Sequence, residues 1–355
     1  MDIFSLVQLA FKNGASDLHL VAGSPLMMRI NGVLQPVGQT PPLMSADINE
    51  ALQQVASDED KRTFEEQLEL DFSYSVPNVG RIRCNASRQR GTTSLTIRLV
   101  PSVIPSLDEL GLPDVCRELI LKPRGLVIVS GPTGSGKSTT LSAMINYLNS
   151  TESRRVVTIE DPIEYVYSND KCTVTQRELG NDTRSFSSAL KHVLRQDPDV
   201  ILVGEMRDYE TAAAVLTVAE TGHLVLTTGH ATSAAQAVER VIDLFPSHER
   251  PLVQSRLASF LVAILCQTLV PKANESGRVA AIEVMLACPA IRNTIREGRL
   301  YQLPNAMVTQ SRLGMVLLDH VLVRLYKSGT INYESVLAVC NDTEEITKLI
   351  AQPSP

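Results

Sequence analysis

The run Gly131-Pro132-Thr133-Gly134-Ser135-Gly136-Lys137-Ser138, with Thr139 behind it, constrains this chain more than any other feature. It matches G-x-x-x-x-G-K-[ST] at every fixed position. The glycines let the backbone curl until its N–H groups converge on one point, an arrangement that suits an anion. Residues 125–130 are apolar and read as a strand leading in; residues 140–149 read as a helix leading out. The N-terminus of that helix adds partial positive charge at the same place. A nucleoside triphosphate is therefore expected, its phosphates wrapped by residues 131–139. Lys137 should reach the β- and γ-phosphates, and the Ser138 hydroxyl should ligate Mg2+.

Around this run the pattern alternates. Residues 126–130, 156–159, 200–203 and 224–227 are apolar and β-rich, and each precedes a helix candidate. Such interleaving predicts a parallel α/β sheet covered on both faces. From about residue 254 the strand signal fades, so a helical portion is expected over 254–355. Acids follow the strands, where open α/β sheets bind ligands. The second strand delivers Glu160, Asp161 and, past Pro162, Glu164. The third delivers Glu205, with Gly204 where phosphate-loop proteins usually carry Asp. His223 and His230 bracket the fourth.

The first hundred residues read as a smaller α+β domain. Residues 3–13 have helical apolar spacing (Ile3, Leu6, Val7, Ala10) and halt at Gly14. Residues 18–21 and 27–30 are strand candidates, and Asn31-Gly32 signals a hairpin. Residues 45–69 read as helical and acidic. Over 81–86, Arg81, Arg83 and Asn85 share one face while Ile82, Cys84 and Ala86 share the other. Residues 94–99 repeat the alternation, with Leu95, Ile97 and Leu99 inward, Arg98 outward, and Gly91 in the turn between. The stretch 72–107 holds Arg81, Arg83, Arg88, Arg90 and Arg98 and no acid. Guanidinium groups crowded without an acid call for an anion from elsewhere. Prolines and glycines in Val100-Pro101-Ser102-Val103-Ile104-Pro105 and Gly111-Leu112-Pro113 mark a linker over 101–113. It separates a domain over 1–100 from one over 114–355.

Composition narrows the function. A length of 355 residues suits about two domains. Net charge −6, with 4% aromatic residues and no Trp, argues against nucleic-acid binding as the main activity. The longest apolar run, 257–266, is half of what a bilayer needs. The N-terminus has no signal-peptide pattern, and the six cysteines form no C-x-x-C pair. A cytoplasmic protein without zinc or disulfides is expected.

Six segments together carry a resemblance. They are Ala15-Ser16-Asp17-Leu18-His19-Leu20, Gly80-Arg81-Ile82-Arg83-Cys84-Asn85, the phosphate run, the acidic Ile159-Glu160-Asp161-Pro162-Ile163-Glu164-Tyr165, the stretch from Asp197 to Asp208 around Gly204-Glu205, and Thr221-Gly222-His223. Nearly end to end, the chain resembles the secretion-superfamily hexameric ATPases, and within them the PilT-type type IV pilus retraction motors. The resemblance implies a PAS-like N-terminal domain, a RecA-like C-terminal domain and a homohexameric ring. It implies Mg2+-dependent ATP hydrolysis in which cleft closure between domains drives pilus retraction and twitching motility. It also implies an inner-membrane platform protein as partner, and peripheral membrane association through partners only. Position by position, it implies that Glu164 activates water, that Glu205 is the Walker B acid near Mg2+, and that His230 is the second His-box histidine. Glu160 and Asp161 are weaker metal candidates, and Gly204 is the family's own form of Walker B. Arg81, Arg83 and Arg98 are implied to reach the γ-phosphate.

Two segments depart from the family. Thr228-Gly229-His230-Ala231-Thr232 stands where a Thr-Leu-His-Thr-Asn type of run is expected. Residues 290–299 are close to the signature of retraction ATPases, with Thr294 departing. As a helix turn, they place Ile291 and Ile295 on one side and Arg292, Arg296 and Arg299 exposed. Assembly and secretion relatives carry a longer N-terminal region and a tetracysteine zinc motif, so retraction is favoured. The alternatives are a pilus assembly or type II secretion ATPase, an accessory retraction paralogue, a RecA-like DNA motor and a non-hydrolysing adaptor.

Overall fold

The computed structural model describes every residue except 39, 78, 102, 275, 276 and 352–355. Ser102 of the expected linker and the last four residues thus lie outside the described residues. The chain forms two compact units, one of residues 1–103 with 164–166, the other of 104–163 with 167–355.

The first unit contains α1 (Ile3–Lys12), β1 (Ala15–Val21), β2 (Met27–Ile30), β3 (Val33–Pro36), α2 (Ser45–Val55), α3 (Asp58–Gln67), β4 (Glu69–Val76), β5 (Gly80–Gln89) and β6 (Thr92–Leu99). Its six strands lie in the order β3-β2-β1-β6-β5-β4, and every pair is antiparallel. Alternation decides which side is covered. Leu18, Leu20, Ile82, Cys84, Leu95 and Ile97 are buried in one cluster with Ile3, Val7, Ile48 and Phe64 of the helices. Both tight turns have left-handed residue pairs, Asn31 and Gly32 (φ 50° and 81°) and Arg90 and Gly91 (φ 49° and 77°). That is the hairpin geometry matching strand twist. The helical reading of 45–69 is interrupted at Ala56–Ser57, where Ser57 starts α3 by accepting from Asp60 N. It ends at Leu68, left-handed at φ 64°, and β4 begins one residue later.

The second unit contains α4 (Val115–Ile120), β7 (Gly125–Ser130), α5 (Lys137–Thr151), β8 (Arg155–Glu160), β9 (Thr173–Glu178), α6 (Phe186–Val193), β10 (Val200–Val203), α7 (Tyr209–Glu220), β11 (Leu224–Thr228), α8 (Ala234–Asp243), α9 (Arg250–Phe260), β12 (Leu261–Pro271), β13 (Arg278–Leu286) and α10 (Pro289–Arg296). Four helices follow: α11 (Leu303–Thr309), α12 (Leu318–Lys327), α13 (Tyr333–Val339) and α14 (Thr343–Ala351). The sheet order is β13-β12-β7-β11-β10-β8-β9, parallel apart from the β12–β13 pair. The expected α/β class with a parallel sheet is what forms. The expectation of a helical portion from residue 254 is corrected, because β12 and β13 occupy 261–286. β12 is buried on both faces and so shows no period-2 alternation. Its apolar run could not be told from a buried helix by pattern.

Glu283 on β13 holds this unit's helices to its sheet. It is 3% exposed and accepts from Ala234 N (2.7 Å) and Leu318 N (3.1 Å), the first residues of α8 and α12. Burial pushes its carboxyl above the ordinary value, against those two hydrogen bonds. We expect Glu283→Gln to cost about 1–3 kcal/mol, since one helix N–H would lose its acceptor. With the folded pKa raised, the wild-type contribution is full below the unfolded pKa and declines as pH rises through the folded one. Denaturant melts from pH 5 to 8 should therefore show the stability gap between wild type and variant narrowing as pH rises.

Candidate active site

Strand β7 ends at Ser130, and the next residues turn where only glycine is unstrained: Gly131 at φ 146°, Gly134 at 78° and Gly136 at 87°. Gly131 also admits no side chain. A Cβ there would lie 2.2 Å from Gln267 O and 2.8 Å from Ser135 Oγ. Lys137 opens α5 and is 9% exposed, its ammonium donating to Gly131 O (2.9 Å) and Pro132 O (3.0 Å). Burial lowers its pKa, and the charge of Glu205 opposes that shift. Pro132, Thr133 and Gly134 are exposed, while Ser138 and Thr139 are half-buried in the first turn of α5. Ser135 Oγ is buried and has no hydrogen-bond partner among the described residues. A buried orphan oxygen inside a loop of this shape fits a phosphate that supplies the missing bond.

The acids lie at the carboxyl ends of β8 and β10. Glu160 is 6% exposed and accepts from Thr158 Oγ1 (2.6 Å) and Gln176 Nε2 (3.2 Å). Asp161 follows it and is exposed. Glu178, which the sequence reading missed together with its strand β9, is buried and accepts from Ile163 N (2.9 Å). That bond fixes the backbone just before Glu164. Glu205 Oε2 lies 2.6 Å from Arg207 Nε and 3.3 Å from His230 Nε2. Sequence alone assigns Arg207 no role. His223 sits before the start of β11 and His230 beyond its end, so only His230 joins Glu205.

The divergent segment is well anchored. Ser130 Oγ donates to Ala231 O (2.8 Å) and accepts from Ala231 N (2.8 Å). A Cβ on Gly229 would come within 3.1 Å of that oxygen, tighter than most real contacts. A Cβ at Gly204 would meet only ordinary contacts at 3.4 Å, so packing alone does not explain that glycine.

Within the first unit, Arg83 Nη2 pairs with Glu164 Oε1 (3.3 Å), Arg98 Nε with Asp17 Oδ1 (2.9 Å), and Arg81 Nη1 donates to Ser75 Oγ (3.0 Å). The arginine face is therefore not without acids. Asp17 stands directly opposite Arg98 in the β1–β6 register, 81 residues away in sequence, beyond the reach of a local window. Burial works against the Asp17 carboxylate, yet hydrogen bonds from Arg98 and Ser16 hold its pKa below the ordinary value.

On α10, Ile291 and Ile295 are fully buried and Arg296 is exposed, as is Arg299 just beyond the helix. Arg292 is a correction. Its guanidinium turns inward onto Ala287 O (2.9 Å), Ser259 O (2.7 Å) and Ala258 O, filling carbonyls at the end of α9 that lack helical partners.

A family model described as "Type II/IV secretion system protein" matches residues 2–335. The chain belongs to the type II/IV secretion system protein family. Within that family it is 48% identical to the "Type IV pilus retractation ATPase PilT" of Pseudomonas aeruginosa, over 94% of this chain and 97% of that protein. It is 42% identical to the "Type IV pilus ATPase PilU" of the same organism, over 99% of this chain and 91% of that one. Among solved structures, it superposes on "the Pilus Retraction Motor PilT and Bound ADP" with a TM-score of 0.91 and 42% identity, over 98% and 99% of the two chains.

Because Arg292 caps three carbonyls, two of them in part-buried bonds, we expect Arg292→Ala to cost on the order of 2 kcal/mol. Arg296→Ala, a surface change, should stay within about 0.5 kcal/mol of wild type. Parallel thermal melts would decide, and equal stability of the two variants would refute the inward role.

Proposed function

We propose that this chain hydrolyses ATP and couples the hydrolysis to retraction of type IV pili, the activity that supports twitching motility. The observation that carries the reading is the phosphate loop: three positive-φ glycines, the orphan Ser135 oxygen, and Lys137 curled over two carbonyls beside the Glu205 charge. The names of the relatives supply the pilus.

In this reading Lys137 exchanges the carbonyls of Gly131 and Pro132 for phosphate oxygens. The Ser138 hydroxyl, with Glu205 acting through water, would hold Mg2+. Glu160 and Asp161 are weaker candidates, since the Glu160 carboxylate is already engaged by Thr158 and Gln176. The metal, when bound, would neutralise charge on the phosphates. His230 and Arg207 orient Glu205. Glu164 activates the attacking water, and Arg81, Arg83 and Arg98 balance charge on the transferring phosphoryl group. The working form is a homohexamer bound to a pilus platform protein at the cytoplasmic face of the inner membrane. No helix among the described residues is long and apolar enough to cross a membrane.

The likeness to PilU over nearly the whole chain favours a second reading, an accessory retraction ATPase. Deletion in the native host separates the possibilities: excess surface pili without motility is expected. Bald cells would mean assembly, and retained retraction of reduced force would mean an accessory role.

Lys137→Ala should abolish hydrolysis and weaken nucleotide binding together. Glu164→Gln should lower kcat by roughly 10²–10⁴ while leaving ADP affinity near wild type, because it leaves the phosphate loop untouched. Near-normal turnover in Glu164→Gln would remove Glu164 from the mechanism.

A further inference from the structure

Gln267 is a polar side chain in a mostly apolar strand, 3% exposed, one residue past the point where β12 pairs with Ser130 of β7. Its backbone oxygen and both side-chain polar atoms meet the phosphate loop or the helix that follows it. Its carbonyl oxygen is the atom that excludes a side chain from Gly131. Its Nε2 donates to Ser135 O (2.7 Å), and its Oε1 accepts from Thr140 Oγ1 (2.7 Å). A Cβ on Gly136 would sit 2.9 Å from the same amide nitrogen. One residue therefore touches the loop at its start, its middle and the first turn of α5.

The loop needs such a hold. Three glycines at positive φ have much backbone freedom to lose, and a phosphate cradle works only if its N–H groups are already aimed. The peptide unit between Ser135 and Gly136 is planar, so its C=O and N–H point in opposite directions. Holding Ser135 O on the Gln267 amide thus aims the Gly136 N–H away from β12. Ser135 O can only accept, so it fixes the amide with its nitrogen toward the loop, and the Thr140 hydroxyl donates to the amide oxygen on the other side.

We propose that Gln267 is the positioning residue of the phosphate loop, setting nucleotide affinity by ordering the loop before the ligand arrives. This inference rests on the nucleotide-site reading above.

The test uses the full chain and N-methylanthraniloyl-ADP, followed by fluorescence, with melting curves taken with and without ADP. Gln267→Met keeps length and removes both side-chain bonds. It should weaken ADP binding about tenfold, as loss of two neutral hydrogen bonds allows, and shrink the thermal shift that ADP gives. Thr140→Val should weaken binding about two- to threefold, and the double variant should be no worse than Gln267→Met alone, because the two share one bond. Gln267→Glu should not rescue, since a carboxylate cannot donate to Ser135 O. A merely structural role predicts a lower melting point with an unchanged ADP shift, which would overturn the proposal. If Gln267→Met fails to fold, Thr140→Val decides alone, and wild-type affinity there overturns it. A wild-type protein that does not bind the ADP probe would overturn the nucleotide reading itself, and the proposal with it.

Discussion

The backbone of β12 passes so close to Gly131 that a single methyl group on that residue would lie 2.2 Å from Gln267 O. Much of the site depends on this approach. It forces glycine at the first loop position, and it lets the Gln267 side chain reach both Ser135 and Thr140. It is possible because β7 is buried on both faces between β11 and β12, with β12 parallel to it and in register from Val127 to Ser130. Strand β7 also fixes the other side of the site, since Ser130 binds Ala231 through both of that residue's backbone groups. A central strand with neighbours on both edges can hold a loop on one side and the His230 segment on the other.

Charge in the second unit is balanced around Glu205. Its carboxylate takes Arg207 and His230 directly and acts on Lys137 by charge. A buried lysine loses hydration, and without the acid its charged form would be disfavoured further. Glu205 therefore offsets part of what burial costs the charged lysine as it rests on carbonyl oxygens.

What the sequence could reveal depended on how local each signal was. The phosphate loop was legible because its chemistry is contained in consecutive residues, and the two hairpins were legible because Asn31-Gly32 and Gly91 carry the required φ values within the turn itself. The arginine face was legible in its alternation but not in its partners, since Asp17 belongs to another strand. Gln267 was illegible for the same reason, its bond to Ser135 spanning 132 residues. The one available signal was a glutamine inside an apolar run, which marks a buried polar group in need of partners. Strands β9, β12 and β13 were missed because β12 has no polar face and β9 no apolar one, so neither alternates.

The arginine face shows how a pair can be ordered without being used up. Arg83 and Arg98 stand directly opposite one another across β5 and β6, where like charges are unfavourable. Each has its own carboxylate, Glu164 for the first and Asp17 for the second. The two pairings differ in which nitrogen they take. Arg83 meets Glu164 through Nη2, at the tip of its fork, while Arg98 meets Asp17 through Nε, at the base. Asp17 is buried and Arg98 is 66% exposed, so the carboxylate anchors the stem and leaves the two terminal nitrogens turned toward solvent. A guanidinium fixed at its base loses little further freedom when its fork meets an anion. Of the two, Arg98 is thus held at its base by a buried acid, whereas Arg83 is engaged at its tip by the half-exposed Glu164.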